Sequence, residues 1–198
     1  GVSSAASDVY KRQTVGRVAS PEDAVFADMD GDGNLDVVSS CEGSERTMYI
    51  HWAPAKRADY FKPRAWVTEP IPVTRKKQSW MFAEPAQIDG RGGIDLFVSS
   101  KGANGSIGWL RRNASSDAGR SAGVFEWVKL RDAGWIMTLK ALDMDGDGDV
   151  DVLSASRDDD KIAWYENDGS ESFTEHAIST SADKAYSVHA TDVDGDGD

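Results

Sequence analysis

The sequence predicts an all-β protein built from repeated four-stranded units, and three observations support this. One short phrase rich in aspartate and glycine occurs four times along the 198 residues. Each of the first three copies is followed by short runs of β-branched and aromatic residues, which are typical of strands separated by turns. No segment keeps an apolar period of 3.6 residues, so we expect little helix.

The repeated phrase marks a period of about 50 residues. It reads DMDGDGNLDV from Asp28, QIDGRGGIDL from Gln87, DMDGDGDVDV from Asp143 and DVDGDGD from Asp192. The copies therefore begin 59, 56 and 49 residues apart. We call residues 28–36, 87–95, 143–151 and 192–198 loops 1, 2, 3 and 4. A repeat at this interval predicts an array of supersecondary units rather than a single site.

Each unit is predicted to contain four short strands. An alternating stretch precedes the loop, a β-prone run follows it, and a strand bearing tryptophan comes next, as in MYIHW, SIGWL and KIAWY; one further strand completes the unit. Four-stranded units at this interval describe the blades of a β-propeller. We expect blades at about 20–70, 78–131 and 135–180 and the start of a fourth at 184–198, which is about three and a half blades.

The aromatic residues of these strands are expected to pack between blades, because one blade cannot bury its own faces. Trp52, Trp109 and Trp164 are the candidates, and sugar stacking by an exposed tryptophan is the alternative. Residues 1–13 lack the repeat pattern and are expected to be a non-native or disordered leader. The chain is expected to be a fragment whose partners include the remaining blades of a longer protein.

Composition excludes several classes of function. Lysine and arginine number 22 against 34 aspartates and glutamates, a net charge of −12, which argues against a nucleic-acid partner. The absence of an apolar run of 18 residues predicts no membrane span. The single cysteine, Cys41, excludes an intrachain disulfide framework.

The spacing of acids within the loops points to a hard cation. In loop 3, aspartates stand at positions 1, 3, 5 and 9, and glycines 146 and 148 allow a tight turn. Oxygen ligands that converge from such a loop suit Ca²⁺, with position 7 contributing its backbone carbonyl. An EF-hand is excluded because position 12 is Ser39 in loop 1 and Ser154 in loop 3, and β-prone runs follow both.

Loops of the form DxDxDGxxD within blades of about 50 residues resemble the FG-GAP (VCBS) repeats of integrin-α-like β-propellers. The stretch KIAWYENDGSESFTEHAIS is especially similar to bacterial members. The resemblance covers residues 20–198. It implies a secreted or cell-surface propeller, of seven blades, that holds Ca²⁺ in a hairpin loop.

The resemblance also implies the metal ligands, with two sites expected and a third offered by loop 4. They are Asp28, Asp30, Asp32, Asn34 and Asp36 in loop 1; Asp143, Asp145, Asp147, Asp149 and Asp151 in loop 3; and Asp192, Asp194, Asp196 and Asp198 in loop 4. Loop 2 departs from the pattern, with Gln87 at position 1 and Arg91 at position 5. Arg91 is expected to pair with Asp89 or Asp95 in place of an ion, so no metal is predicted there.

Function is expected to lie in binding rather than catalysis. The favoured interpretation is an extracellular module for protein or glycan binding or adhesion, with structural Ca²⁺. One alternative is a piece of a propeller-type carbohydrate-active enzyme, a lyase or hydrolase, with Glu84, Lys140 and His189 at the mouth of the central channel. The other is a purely architectural spacer. His51 and His176 are expected to serve packing or the surface.

Overall fold

The computed structural model describes residues 14–62, 64–113 and 119–194, and within these ranges the chain forms twelve strands in three antiparallel sheets. In these described ranges, helix is limited to single 3₁₀ turns at Arg57–Asp59, Pro72–Thr74 and Ala122–Val124. The predicted all-β class is therefore confirmed. The expectations for residues 1–13 and for Asp196 and Asp198 lie outside the described residues.

Each sheet is a meander of four strands that are consecutive in sequence. Sheet 1 contains β1 (Pro21–Ala27), β2 (Asp36–Cys41), β3 (Met48–Trp52) and β4 (Val67–Pro70). Sheet 2 contains β5 (Ser79–Ala86), β6 (Asp95–Lys101), β7 (Ser106–Arg112) and β8 (Phe125–Asp132). Sheet 3 contains β9 (Ile136–Leu142), β10 (Asp151–Ser156), β11 (Lys161–Asn167) and β12 (Phe173–Ser179). These are the four-stranded units that the repeat predicted.

The aspartate-rich loops occupy the same place in all three sheets. Each joins the first strand to the second, and its position-9 aspartate begins the second strand opposite the last residue of the first. The pairs are Ala27 with Asp36, Ala86 with Asp95 and Leu142 with Asp151. Loops 1 to 3 therefore emerge from the same end of their sheets, together with the connections between third and fourth strands.

Neighbouring sheets pack face to face, with the first strand of each against the first strand of the next. The core between sheets 1 and 2 includes Val38, Ile50 and Trp80, and sheet 2 contributes Leu96 and Leu110 to it. Because successive side chains of a strand point to opposite faces, β6 also supplies the next core. The middle sheet is thus buried on both faces.

The core between sheets 2 and 3 is built around aromatic rings. Phe97 and Trp109 face sheet 3, where they meet Val152, Tyr165 and Phe173. The rings of Phe97 and Phe173 pack edge to face with centroids 5.9 Å apart. Trp109 and Phe97 pair across β6 and β7, so the two largest side chains of this face are neighbours.

The three repeat tryptophans do not share one environment. Trp52 and Trp109 lie in the two cores, as expected. Trp164 pairs with Leu153 just as Trp109 pairs with Phe97, and it therefore points away from sheet 2. Within the described residues it stacks on His176 of its own sheet, with ring centroids 4.6 Å apart, instead of packing between two sheets.

His51 is a buried packing residue. Its Nε2 lies 2.9 Å from Ser39 Oγ, and its Nδ1 lies 2.9 Å from Thr68 Oγ1. Burial lowers its pKa from the usual value, which favours the neutral ring. Cys41, at the end of β2, is also buried, and burial raises the pKa of its thiol to about 11.

The stretch that follows sheet 3 differs from the expectation. Residues 186–191 were predicted to form the innermost strand of a fourth blade, but no strand occurs between 180 and 194 in the structure. A strand needs backbone hydrogen bonds to a neighbouring strand. The bond from β9 to this segment comes from a side chain instead: the Thr138 hydroxyl donates to the carbonyl oxygen of Tyr186 at 3.0 Å. His189 is exposed in this irregular segment. In the described ranges, no helix has the length and apolar character needed to cross a membrane.

Candidate metal centres

Loop 1 is folded by hydrogen bonds from its own backbone to its carboxylates. Asp28 accepts the backbone N–H of Asp32 at 3.0 Å and that of Gly33 at 2.9 Å. Asp30 accepts the Asp32 N–H at 3.1 Å. Gly31 and Gly33 have φ angles of 75° and 83°, which side-chain-bearing residues rarely adopt. The predicted role of the glycines in bending the loop is thus confirmed here.

Loop 3 repeats this construction. Asp143 accepts the N–H of Gly146 at 2.8 Å and that of Gly148 at 3.0 Å, and Asp145 accepts the N–H of Asp147 at 3.2 Å. Gly146 and Gly148 again have left-handed φ angles, 78° and 97°. Such bonds wrap the backbone around the acidic side chains and hold their oxygens on the inside of the loop.

The aspartate at position 9 is a buried clamp in all three sheets. One of its oxygens accepts the N–H of loop position 2, and the other accepts an N–H at the end of the third strand. The donors are Met29 and Ala53 for Asp36, Ile88 and Arg112 for Asp95, and Met144 and Asn167 for Asp151, at 2.7 to 3.1 Å. Position 9 therefore ties its loop to the sheet, a role that the sequence analysis missed.

Burial of these clamps changes their acidity. Desolvation raises the pKa of Asp36 to about 6, and the nearby charge of Asp30 adds to the effect. Desolvation likewise raises the pKa of Asp95 to about 6, with a contribution from Asp89. The pKa of Asp151 is raised for the same reason. A positive charge beside such a carboxylate would favour its ionised form.

Within the part of the chain that the structure describes, two clusters of carboxylates could hold a metal ion. In loop 1 they are Asp28, Asp30 and Asp36, and in loop 3 they are Asp143, Asp145 and Asp151. In each cluster one oxygen from every residue lies within 4.8 Å of the others. Hard carboxylate oxygens gathered in this way fit Ca²⁺. Positions 1, 3 and 9 of the predicted ligand set thus come together twice.

Positions 5 and 7 lie outside these clusters. Asp32 accepts hydrogen bonds from the backbone and the side chain of Asn34, at 2.8 and 2.9 Å. The Tyr60 hydroxyl donates to Asn34 Oδ1 at 3.0 Å. Asp147 accepts the Asp149 N–H at 2.9 Å. Their predicted role as ligands stays a prediction.

A guanidinium from sheet 2 reaches loop 1. Arg120 Nε donates to Asp30 Oδ2 at 2.7 Å, and Nη2 donates to Asp32 Oδ2 at 3.1 Å and to the carbonyl oxygen of Ala53. Although burial alone would raise the pKa of Asp32, bonds from Asn34 and Arg120 lower it. Nothing in the sequence near Arg120 marks it as a partner of a loop about 90 residues away.

Loop 2 carries its own cation. Arg91 Nε lies 3.5 Å from Asp89 Oδ2, and its Nη2 pairs with Glu171 of sheet 3. Gln87 replaces the first carboxylate and donates to the carbonyl oxygens of Arg91 and Gly93, at 3.0 and 2.6 Å. Of the two partners predicted for Arg91, Asp89 is therefore the one it meets, while Asp95 serves as the clamp.

The structure describes only the first residues of loop 4. Asp192 and Asp194 are exposed, and the other predicted ligands of loop 4 lie outside the described residues.

A cavity of about 360 Å³ separates loop 1 from loop 2. Asp28 and Asp30 line one wall, and Gly92, Gly93 and Arg112 line the other, so the acidic cluster of loop 1 borders an open space.

The first strands of sheets 2 and 3, β5 and β9, bring two of the predicted channel residues together. Lys140 Nζ lies 4.0 Å from Glu84 Oε2. Desolvation raises the pKa of Glu84, although Lys140 opposes the shift. His189 has no hydrogen bond or ion pair with either residue within the described part of the chain.

These features define a class of protein. Three consecutive four-stranded meanders, packed through their first strands and carrying aspartate–glycine hairpin loops at one end, fit the blades of a β-propeller. Residues 143–198, from loop 3 through β12 to loop 4, match the model of the FG-GAP-like repeat family. The resemblance to FG-GAP repeats is thereby confirmed for this part of the chain. No curated protein matches the chain significantly.

Proposed function

We propose that the protein is a calcium-binding β-propeller module of the extracellular environment, in which Ca²⁺ is a structural ion of loops 1 and 3. The observation that supports this most directly is the pair of carboxylate clusters with oxygens within 4.8 Å of one another. Carboxylates this close repel each other unless a cation neutralises them. Calcium accepts six to eight such oxygens with flexible geometry, which a glycine-bent loop can provide.

The position of the loops explains why the ion would stabilise the fold. Each loop joins the first and second strands, and its position-9 aspartate already holds the end of the third strand. An ion bound by positions 1, 3 and 9 would connect the loop's tip to that clamp. Binding to the folded state alone stabilises by about 2.7 kcal/mol at a hundredfold excess over the dissociation constant.

The role in protein or glycan binding is supported by the connection between β3 and β4. Tyr60 is fixed there by Asn34 of loop 1, and its ring packs edge to face on Trp66 at 5.4 Å. Phe61, its neighbour, is 66% exposed. A connection tied to a metal loop and presenting an aromatic side chain is suited to contact a partner.

Calcium calorimetry on single variants tests the proposal. We expect Asp30→Asn and Asp145→Asn each to remove one equivalent of bound calcium, because each substitution removes a charged oxygen donor from one cluster. Asparagine keeps an oxygen that can accept the loop's backbone N–H. Asp183→Asn makes the same change of charge at an exposed position outside the loops and is expected to bind calcium as the wild type does.

Two results would contradict the proposal. The first is a folded wild-type chain that takes up no calcium at millimolar concentration. The second is calcium binding that neither loop variant reduces, since the ion would then reside elsewhere.

An enzyme is the second candidate, and it draws on the contact between Glu84 and Lys140 on the innermost strands. The raised pKa of Glu84 suits a general acid. Incubation with a panel of polysaccharides, followed by an assay for new reducing ends, tests it. Cleavage that Glu84→Gln abolishes would favour the enzyme. If no polysaccharide of the panel is cleaved, the binding module remains the proposed function.

A further inference from the structure

Arg120 occupies an unusual place in the molecule. It belongs to the connection between β7 and β8 of sheet 2, yet its guanidinium lies on loop 1 of sheet 1. It contacts Asp30 and Asp32, two of the predicted ligands, at 2.7 and 3.1 Å. The side chain of Asp30 is only 4% exposed beneath it. Arg120 thus covers a carboxylate that the proposed calcium site requires.

Loop 3 has the same carboxylates without such a partner. Asp143 and Asp145 are exposed, and their hydrogen bonds come from the backbone of loop 3 itself. Among the described residues, no lysine or arginine forms an ion pair with Asp143, Asp145 or Asp147, whereas loop 1 has two such contacts. Within the described residues, the cation paired with its carboxylates thus distinguishes loop 1 from loop 3.

We propose that Arg120 is an intramolecular competitor for the cation of loop 1, so that loop 3 binds calcium more tightly and loop 1 fills only as Arg120 withdraws. This inference rests on the proposed function, because it concerns the affinities of the same two sites. It assigns to Arg120 a role in setting the order in which the loops are filled.

The physical reason is that both cations need the same oxygens. Asp30 Oδ1 already accepts the Asp32 N–H, and Asp30 Oδ2 accepts the guanidinium of Arg120. Both oxygens that Asp30 could offer to an ion are therefore engaged in hydrogen bonds. A divalent ion at the cluster would also repel the neighbouring guanidinium. Calcium must therefore displace contacts that Arg120 makes with Asp30, Asp32 and the carbonyl of Ala53.

Loop 2 also has an arginine paired with one of its aspartates. There the cation is Arg91, a residue of the loop itself. It occupies position 5 in place of an aspartate and pairs with Asp89. Loop 1 keeps all its acids and takes its cation from the neighbouring sheet. Filling loop 1 with calcium would release the Arg120 side chain, so ion binding at this site is coupled to one of the contacts between sheets 1 and 2.

Calcium titration of single-site proteins tests the inference. Asp145→Asn leaves loop 1 as the site under study, and Asp30→Asn leaves loop 3. Arg120→Gln is then added to each. We expect loop 1 to bind at least about tenfold more weakly than loop 3, and Arg120→Gln to tighten loop 1 by about tenfold, which corresponds to about 1.4 kcal/mol. In the loop 3 protein the same substitution should change the dissociation constant by less than about twofold.

The outcomes separate the two proposals. If both single-site proteins bind calcium and Arg120→Gln leaves loop 1 unchanged or weakens it, the competition is overturned while the calcium function stands. If neither protein binds calcium, both proposals fall. Near-UV circular dichroism identifies a variant that has lost its fold, and Arg120→Lys, which keeps the charge but not the fork of donors, is expected to give an intermediate affinity.

A second measurement needs no substitution at Arg120 in the titrated protein. The Nε–H group of Arg120, identified by its absence in Arg120→Gln, gives an NMR signal that reports its bond to Asp30. In the Asp145→Asn protein this signal is expected to shift or broaden in step with calcium uptake by loop 1. A signal that stays unchanged at saturation would show that Arg120 and calcium share the loop, which would overturn the inference.

Discussion

Replacing Trp109 with alanine is expected to reduce the free energy of unfolding by about 3–5 kcal/mol. Trp109 is fully buried between sheets 2 and 3, next to Phe97. Its indole Nε1 has no hydrogen-bond partner, so the loss is one of packing and of the cavity left behind. Urea unfolding in the presence of calcium measures the effect.

Trp164→Ala is the matched control for this prediction. Trp164 holds the same place in sheet 3 that Trp109 holds in sheet 2, but its face is turned away from the neighbouring sheet. Its main ring contact is with His176. We expect a loss of about 1–2 kcal/mol. Equal losses for the two variants would contradict the assignment of Trp109 to an inter-sheet core.

The second large effect is expected at Asp95, the clamp of the loop that lacks the full acidic set. Asp95→Ala would leave the backbone N–H groups of Ile88 and Arg112 buried without acceptors. Each unsatisfied group costs about 1–3 kcal/mol, so for the two groups we expect a loss of about 2–6 kcal/mol. Asp95→Asn retains one acceptor and should lose less. An alanine variant as stable as the wild type would refute the clamp.

The pH dependence of stability provides an independent check on Asp95. Its pKa is raised to about 6 in the folded state from an ordinary value of 3.8. The folded protein therefore binds the proton more tightly than the unfolded chain, and Asp95's contribution to stability falls as pH rises from about 4 to about 6. The stability difference between wild type and Asp95→Asn should shrink over that range, by on the order of 2 kcal/mol. A constant difference would contradict the raised pKa.

Much of the fold follows from the sequence because its signals are local and repeated. The loops start every 49 to 59 residues, and the runs between them alternate with turn residues. These patterns predict four strands per unit and their antiparallel order, since short turns join antiparallel neighbours. The segment after Ala185 shows the limit. Its alternation predicted a strand, but a strand also requires a partner, which composition does not reveal.

The candidate sites were predictable to a similar degree. The spacing of acids in loops 1 and 3 identified the residues that cluster at positions 1, 3 and 9. The structural use of position 9 had a signal that was overlooked: loop 2 lost its acids at positions 1 and 5 but kept Asp95. An aspartate retained in a loop without a full set of ligands indicates a role in the fold.

Arg120 could not have been assigned in this way. It lies about 90 residues from Asp30 in sequence, within a connection that has no regular pattern. Its contact depends on how sheet 2 packs on sheet 1, and such packing is set by many small contacts rather than by any local motif. Long-range ion pairs of this kind emerge only when the sheets are assembled.

The central claim is that calcium bound in loops 1 and 3 stabilises the folded protein. The most direct measurement is the thermal midpoint of the wild type and of the double variant Asp30→Asn/Asp145→Asn, each in millimolar calcium and in chelator. We predict that calcium raises the wild-type midpoint by about 5 °C or more and leaves the double variant almost unchanged. A folded wild type whose midpoint is the same in calcium and in chelator would contradict the claim.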